Sequence, residues 1–218
     1  MTTFPGSPPL LKAGLVLVDP ASGAVRRVIA LQYTPDTLTR TLQPQGVGGT
    51  SQNRSEALRL KGPPIETIKL DAEIDGTDQL EFPANNPAMT EHGIAPQIAA
   101  LEALVNPSTD DLLGVDSDAR GGTLEILPPE APLVIFVWSR NRVAPVRVTD
   151  FSVTEEAFDP DLNPIRAKIS LGLRVLSVAD LGFDTKAGSL YLEYQRQKER
   201  AAAGLRGTFS ALGLRGIP

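Results

Sequence analysis

Apolar and polar positions alternate most cleanly between residues 165 and 175. Ile165, Ala167, Ile169, Leu171, Leu173 and Val175 alternate with Arg166, Lys168, Ser170, Gly172 and Arg174. A period of two places the two sets on opposite faces of a strand. The segment therefore predicts a half-buried antiparallel strand with a basic outer face. The same period runs through 66–74, where Ile68, Leu70, Ala72 and Ile74 alternate with Lys69, Asp71 and Glu73. Leu133 to Trp138 (LVIFVW) is continuous instead and reads as a strand buried on both faces. Residues 142–158 predict a long strand whose phase changes midway. Val146 and Val148 share one parity and Phe151 and Val153 the other, which predicts a bulge near Thr149-Asp150. Gly14 to Val18 and Val25 to Tyr33 predict a hairpin around the turn cluster Asp19–Gly23. Thr34-Pro35-Asp36 ends its second strand, because proline lacks the N–H a ladder needs.

Helical spacing occurs twice. Ile94, Ile98, Leu101, Leu104 and Val105 predict a buried helix around 90–105, with Thr90 as N-cap and Asn106-Pro107 as its end. Pro96 fits only where that helix starts late or kinks. Residues 189–203 predict a second helix with Ser189 as N-cap. Its apolar part is confined to Leu190, Tyr191, Leu192 and Tyr194, so it needs a surface to dock on.

The polar stretches 44–64, 75–88 and 106–131 read as loops, the last with a short strand at Thr123–Leu127. Asp159-Pro160-Asp161-Leu162-Asn163-Pro164 reads as a strong turn. Residues 1–13 form an N-terminal arm, 14–180 a β domain, and 181–218 a C-terminal helix and tail. The tail sets Phe209, Leu212, Leu214 and Ile217 between glycines. The expected fold is mainly β with minor α: a barrel or sandwich of long antiparallel strands, one packed helix and a C-terminal helical extension.

Composition narrows the chemistry. The 218 residues include no Cys and one His, which excludes disulfides, thiolate metal sites, cysteine nucleophiles and multi-histidine clusters. No apolar run is long enough to span a membrane, and residues 10–18 follow no basic stretch and do not read as a secretory signal. A net charge of −5 argues against a general nucleic-acid binder.

Individual motifs point away from catalysis. Gly46-Val47-Gly48-Gly49-Thr50 lacks the Gly-Lys-Ser/Thr ending of a phosphate loop and does not join a strand to a helix. Asp71, Glu73 and Asp75 have calcium-loop spacing, but the distal ligand position falls on Phe82, one place past Glu81. Asp110, Asp111, Asp116 and Asp118 read as a solvated loop. His92 has no nucleophile motif beside it and reads as a surface residue near a helix start. Trp138 reads as core packing. No residue is assigned a catalytic, cofactor-binding or metal role; the chain is read as a non-enzyme without cofactor.

Three ordered segments carry a resemblance. They are Tyr33-Thr34-Pro35-Asp36-Thr37-Leu38, Pro132 to Ser139 through Trp138, and Phe158 to Ala167 through Asn163-Pro164-Ile165-Arg166. Together they resemble the tube-protein family of contractile injection systems, the phage-tail-like particles, over about residues 12–178. Members typically show a Phe-Asn-Pro-like start, a Phe-x-Trp-Gly strand and a Gly-x-Pro-x-Arg-Ala turn. Here Thr34 stands for the Asn, Ser139 for the Gly after Trp, and Asn163 for the Gly before Pro, a position where Asn tolerates a left-handed turn.

The resemblance implies a tube-type β-barrel in a hexameric ring at the baseplate. That ring adapts the trimeric spike or hub to the inner-tube protein, contacts other baseplate subunits and initiates the tube. It implies synthesis in the cytoplasm and incorporation into a particle, with no nucleic acid and no membrane span. Many relatives add a LysM module after this domain; residues 181–218 do not resemble one. Inner-tube protomer, tube-terminator ring and stand-alone ligand-binding β-barrel are the alternatives.

Overall fold

The computed structural model describes residues 12–20, 22–46, 58–121, 131–205 and 207–217. Seven strands form one antiparallel sheet: β1 (Gly14–Val18), β2 (Val25–Ala30), β3 (Leu38–Gln43), β4 (Ile65–Asp75), β5 (Leu133–Ser139), β6 (Arg142–Phe158) and β7 (Pro164–Val175). Their order across the sheet is β2-β1-β5-β6-β7-β4-β3. The protein is mainly β with minor α.

The sheet does not close into a barrel, which corrects that part of the expectation. The reason lies in strand length. β3 pairs only with residues 65–70 of β4, so among the described residues no strand lies beside residues 71–75 on that side. There Gln32, just past β2, donates its side-chain amide to the Asp75 carbonyl (2.6 Å) and accepts from the Asp75 N–H (3.0 Å). A side chain thus stands in for one ladder pair where the two ends of the curled sheet approach.

β7 is flanked by β6 on one side and β4 on the other. Its inner residues Ala167, Ile169, Leu171, Leu173 and Val175 are 0–4% exposed. Burial of the larger of these is worth roughly 1.5–3 kcal/mol apiece. The expected bulge is present: the β6–β7 register shifts between Val148 and Asp150. Asp150 lies opposite Gly172, where a Cβ would come within 2.8 Å of the Asp150 Cβ. Gly172 makes room for the extra residue, and the phase change keeps Phe151 and Val153 packed against the core after the shift.

β5 differs from its expected burial on both faces. Val134 and Phe136 are buried, whereas Leu133, Ile135 and Val137 are only half-buried. The sheet has one core, on one face, so the opposite row of β5 is only partly covered.

The helix expected at 90–105 is two helices, α2 (Pro87–His92) and α3 (Ala95–Glu102), following the one-turn α1 (Thr77–Leu80). Pro96 lies in the first turn of α3, the late start its presence requires, and Thr90 lies inside α2 rather than capping a helix. Gly93 breaks the pair with φ +56, and a Cβ there would meet the Pro164 carbonyl at 2.2 Å. That carbonyl accepts from the Ile94 N–H at 2.8 Å. Ile94, Ile98, Leu101 and Leu104 are buried as expected, while Val105 is 44% exposed.

Three further expectations change. Residues 75–88 hold α1, a 3-10 turn at Pro83–Asn85 and the start of α2 instead of a loop. The polar stretch after 106 contains α4 (Thr109–Arg120). Its capping box joins the Ser108 hydroxyl to the Asp111 N–H (3.1 Å) and the Asp111 carboxylate to the Ser108 N–H (3.2 Å). The strand expected at Thr123–Leu127 lies outside the described residues. In the β6–β7 turn the left-handed residue is Leu162 (φ 66), not Asn163. Asn163 instead bonds Asp159 through both its main chain (2.7 Å) and its side chain (2.9 Å).

After α5 (Val178–Leu181), the C-terminal helix α6 spans Lys186–Ala203. Its N-cap is Thr185, whose hydroxyl accepts from the Gly188 N–H at 2.9 Å, rather than Ser189. Tyr191 and Tyr194 are buried in the sheet's core, which supplies the docking surface the short apolar stretch demands.

Gly93→Ala is expected to destabilise the fold by at least about 1–3 kcal/mol, the cost of a strained φ before the carbonyl clash is added. Gly114→Ala, where a Cβ meets nothing within 4 Å, is expected to stabilise α4 by up to about 1 kcal/mol. Urea midpoints and far-UV circular dichroism read the two signs.

Candidate assembly surfaces

The outer row of β7 is basic, and its neighbours neutralise Arg166 and Lys168. Across the sheet Arg166 lies between Glu156 and Asp75, and Lys168 lies between Thr154 and Glu73. Arg166 bonds Asp75 at 2.9 Å and Lys168 bonds Glu156 at 2.9 Å. Ser170 donates to Asp71. Acid, base and acid thus lie side by side at Arg166, and Lys168 has an acid on the β4 side. Exposed pairs of this kind contribute about 0–1 kcal/mol each, so they set register more than stability.

The same contacts account for the calcium-like spacing at 71–75. Asp71 and Asp75 each hold a β7 side chain, and Asp75 also accepts from the Thr77 N–H (2.9 Å) and hydroxyl (2.6 Å). Burial raises the Asp75 pKa, but Thr77 and Arg166 outweigh it and hold the carboxyl below its usual value. Among the described residues no group of three or more His, Asp or Glu is placed to hold a metal ion.

The other sequence candidates lie apart from one another. His92 ends α2, not the start of a helix, is 55% exposed and lies 3.8 Å from Glu91. The four aspartates 110, 111, 116 and 118 lie on α4, not on a loop. Gly46 forms an isolated bridge with Leu60, and residues 47–50 lie outside the described residues. Trp138 is half-buried against the core, its ring 6.0 Å from that of Phe136.

The segments of the resemblance sit at the joints of the sheet. Residues 33–38 connect β2 to β3, residues 132–139 form β5, and residues 158–167 form the β6–β7 turn and the start of β7. Leu38, Phe136 and Trp138 meet around Tyr194 of α6.

Sequence reading missed one polar cluster. Glu66 is 3% exposed and lies on the apolar face of β4 with Ile68 and Leu70. Arg40 of β3 bonds it (2.6 Å), as do Lys198 (2.7 Å) and the Tyr194 hydroxyl (2.7 Å) of α6. Lys198 also lies 4.0 Å from the Tyr194 ring centroid. Burial pushes the Glu66 pKa up, but Lys198, Tyr194 and Arg40 together bring it below the usual value. Burial and the Glu66 carboxylate push the Tyr194 hydroxyl well above the usual phenol. The available signal was parity: Glu66 shares the even positions of Ile68, Leu70, Ala72 and Ile74. The cluster ties three elements to one carboxylate, and so fixes where edge strand β3 and helix α6 stand.

Several surfaces remain unsatisfied. Among the described residues, β2 and β3 each have one side without a partner strand. Val25 and Val28 on β2 are 62% and 67% exposed. Past α6, Leu205, Phe209, Leu212, Leu214 and Ile217 all stand exposed. A cavity of about 310 Å³ lies between β2, the free stretch of β4 and α3.

Glu66→Gln is expected to destabilise the protein by about 2–3 kcal/mol at neutral pH. This is below the ~3–5 kcal/mol of a fully buried broken pair, because Arg40 and Lys198 reach solvent. The folded pKa is lowered, so the wild-type advantage is complete above the unfolded value of about 4.3. It shrinks as pH falls through the lower folded pKa. Denaturant titrations of both proteins from pH 7 to pH 3 measure this convergence.

No family model matches the chain, and no curated protein matches it. Among solved structures it is similar to a chain in the tail of an empty GTA particle determined by helical refinement with C6 symmetry. The identity is 10% and the TM-score 0.30, over 75% of this chain and 90% of that one. It is also similar to a chain in the virion of a native gene transfer agent (GTA) particle, at 9% identity and TM-score 0.27 over the same shares.

Proposed function

We propose that this chain is a structural ring subunit of a contractile injection system, at the baseplate end of the inner tube, where it joins the spike to the tube and templates tube assembly. The observation that carries the reading is the pair of edge strands at the two ends of one curled sheet, each with one side unpartnered among the described residues. An exposed edge is a template for pairing with another chain. Two different edges on one subunit serve a head-to-tail contact, which closes into a ring when the rotation allows. The ordered resemblance of residues 33–38, 132–139 and 158–167 supplies the kind of ring, and the exposed tail at 207–217 supplies apolar surface for a neighbour. No described helix is long and apolar enough to cross a membrane. The role calls for no catalytic residue and no cofactor.

A ligand-binding module is the second reading, favoured by the cavity beside β2. In that case the purified chain stays monomeric and a small apolar molecule protects the cavity.

Copy counting by quantitative mass spectrometry of particles from the native source separates the roles. An adaptor gives one ring's worth of copies per particle, independent of tube length. Copies that scale with tube length assign the chain to the tube itself, and absence from particles overturns the ring reading.

A further inference from the structure

Where β1 ends, β5 begins and β7 hands over to α5, the surface opens into a cleft of about 780 Å³. Val18, Leu133, Leu176 and Leu181 supply an apolar lining, and Arg147 and Arg174 stand in its wall. The two arginines are directly opposite each other on β6 and β7, an unfavourable cross-strand pairing of like charges. Arg174 donates to Asp180 at 2.6 Å, but its Nε is buried without a partner. Arg147 has no ion-pair partner among the described residues. Of the other charges lining the cleft, Lys186 is spent on the Gly23 carbonyl (2.9 Å) and Asp19 on Arg26 and Ser22. The cleft therefore sets an apolar lining beside one guanidinium, that of Arg147, with no carboxylate partner among the described residues.

Helix α4 has the opposite character. None of its residues is buried. Leu112 and Leu113 are 54% and 62% exposed. At 3.6 residues per turn Leu112, Val115 and Ala119 share one stripe, Leu113 lies beside it, and Asp116 and then Arg120 fall between Leu112 and Leu113. Among the described residues Asp116 pairs with Arg120 on the surface, at 2.9 Å, with both side chains more than half exposed. Such a pair is held weakly. An apolar stripe bordered by the Asp116 carboxylate matches an apolar lining bordered by the unpaired Arg147 guanidinium.

We propose that the Leu112–Leu113–Asp116 face of α4 from a second copy of this chain seats in the Arg147–Arg174 cleft. The contact rests on the ring reading and names one of its interfaces. A helix on one subunit and a cleft on the next make a head-to-tail contact, and repetition builds a ring or a filament rather than an isolated pair. Asp116 exchanges Arg120, which turns out to solvent, for Arg147 in a drier setting, where charge-assisted bonds are stronger.

The absence of native cysteine gives a clean test. Chains carrying only Leu113→Cys and chains carrying only Leu181→Cys are mixed at equal concentration and oxidised. The contact predicts a mixed disulfide in excess of either homodimer. In parallel, Asp116→Arg and Arg147→Asp are each expected to weaken self-association at least about tenfold, and their combination in one chain is expected to restore it. All four positions are exposed or half-buried, and circular dichroism checks the fold of each variant. A ring that forms unchanged in both charge variants, with no mixed disulfide, overturns this contact and leaves the ring reading standing. A disulfide that forms only within a chain carrying both cysteines means that α4 folds onto its own cleft, and also overturns it. A wild-type chain that stays monomeric at every concentration overturns both.

Discussion

The apolar face of β7 is the surface on which the rest of the protein depends. Five of its side chains are almost fully buried, and the strand pairs along most of its length with β6 on one side and β4 on the other. The strict alternation of β7 means that a one-residue slip would turn Arg166, Lys168 and Arg174 inward, which fixes register strongly. The bulge at 148–150 is the local adjustment that lets the longer β6 follow this register, and Gly172 is the residue that admits it. From that frame the β6–β7 turn presents the Pro164 carbonyl to α3, and Gly93 is what lets the helix come close enough to use it.

Glu66 extends the frame to the edges. A carboxylate on a core face is costly unless fully paired, and here each partner comes from a different part of the chain than β4 itself. Arg40 belongs to the free edge strand, and Tyr194 and Lys198 belong to the C-terminal helix. Edge and helix are thus held in one fixed relation, from which the apolar tail after residue 205 departs. The exposed edge and the exposed apolar tail are thus positioned by the chain's internal chemistry.

Legibility in the sequence followed burial. Strands whose two faces differ in environment, β4 and β7, were readable from alternation alone, and the phase change in β6 located its bulge. β3 was not readable, because an edge strand of Leu, Thr, Arg and Gln carries little apolar signal. α4 was hidden for a similar reason: it touches no core, and its capping box uses Asp111 where Glu or Gln is the usual signal. Barrel closure was expected and is absent because it depends on relative strand lengths around the sheet, which periodicity does not encode. The tube-protein resemblance lay in turns and in β5, the segments that set the joints. The polar cluster at Glu66 is hidden because a lone carboxylate carries no apolar signal and its partners lie far away in the chain, so only its even parity marks it as facing the core.

The account comes down to whether this chain occupies a ring between spike and tube. Electron microscopy of particles purified from the native source, with the chain carrying a small tag, tests this most directly. The account predicts tag density in a single ring at the spike end of the tube, with adjacent subunits in contact through different surfaces. Density repeated along the tube, density at the far end, or a chain that never enters a particle would contradict it.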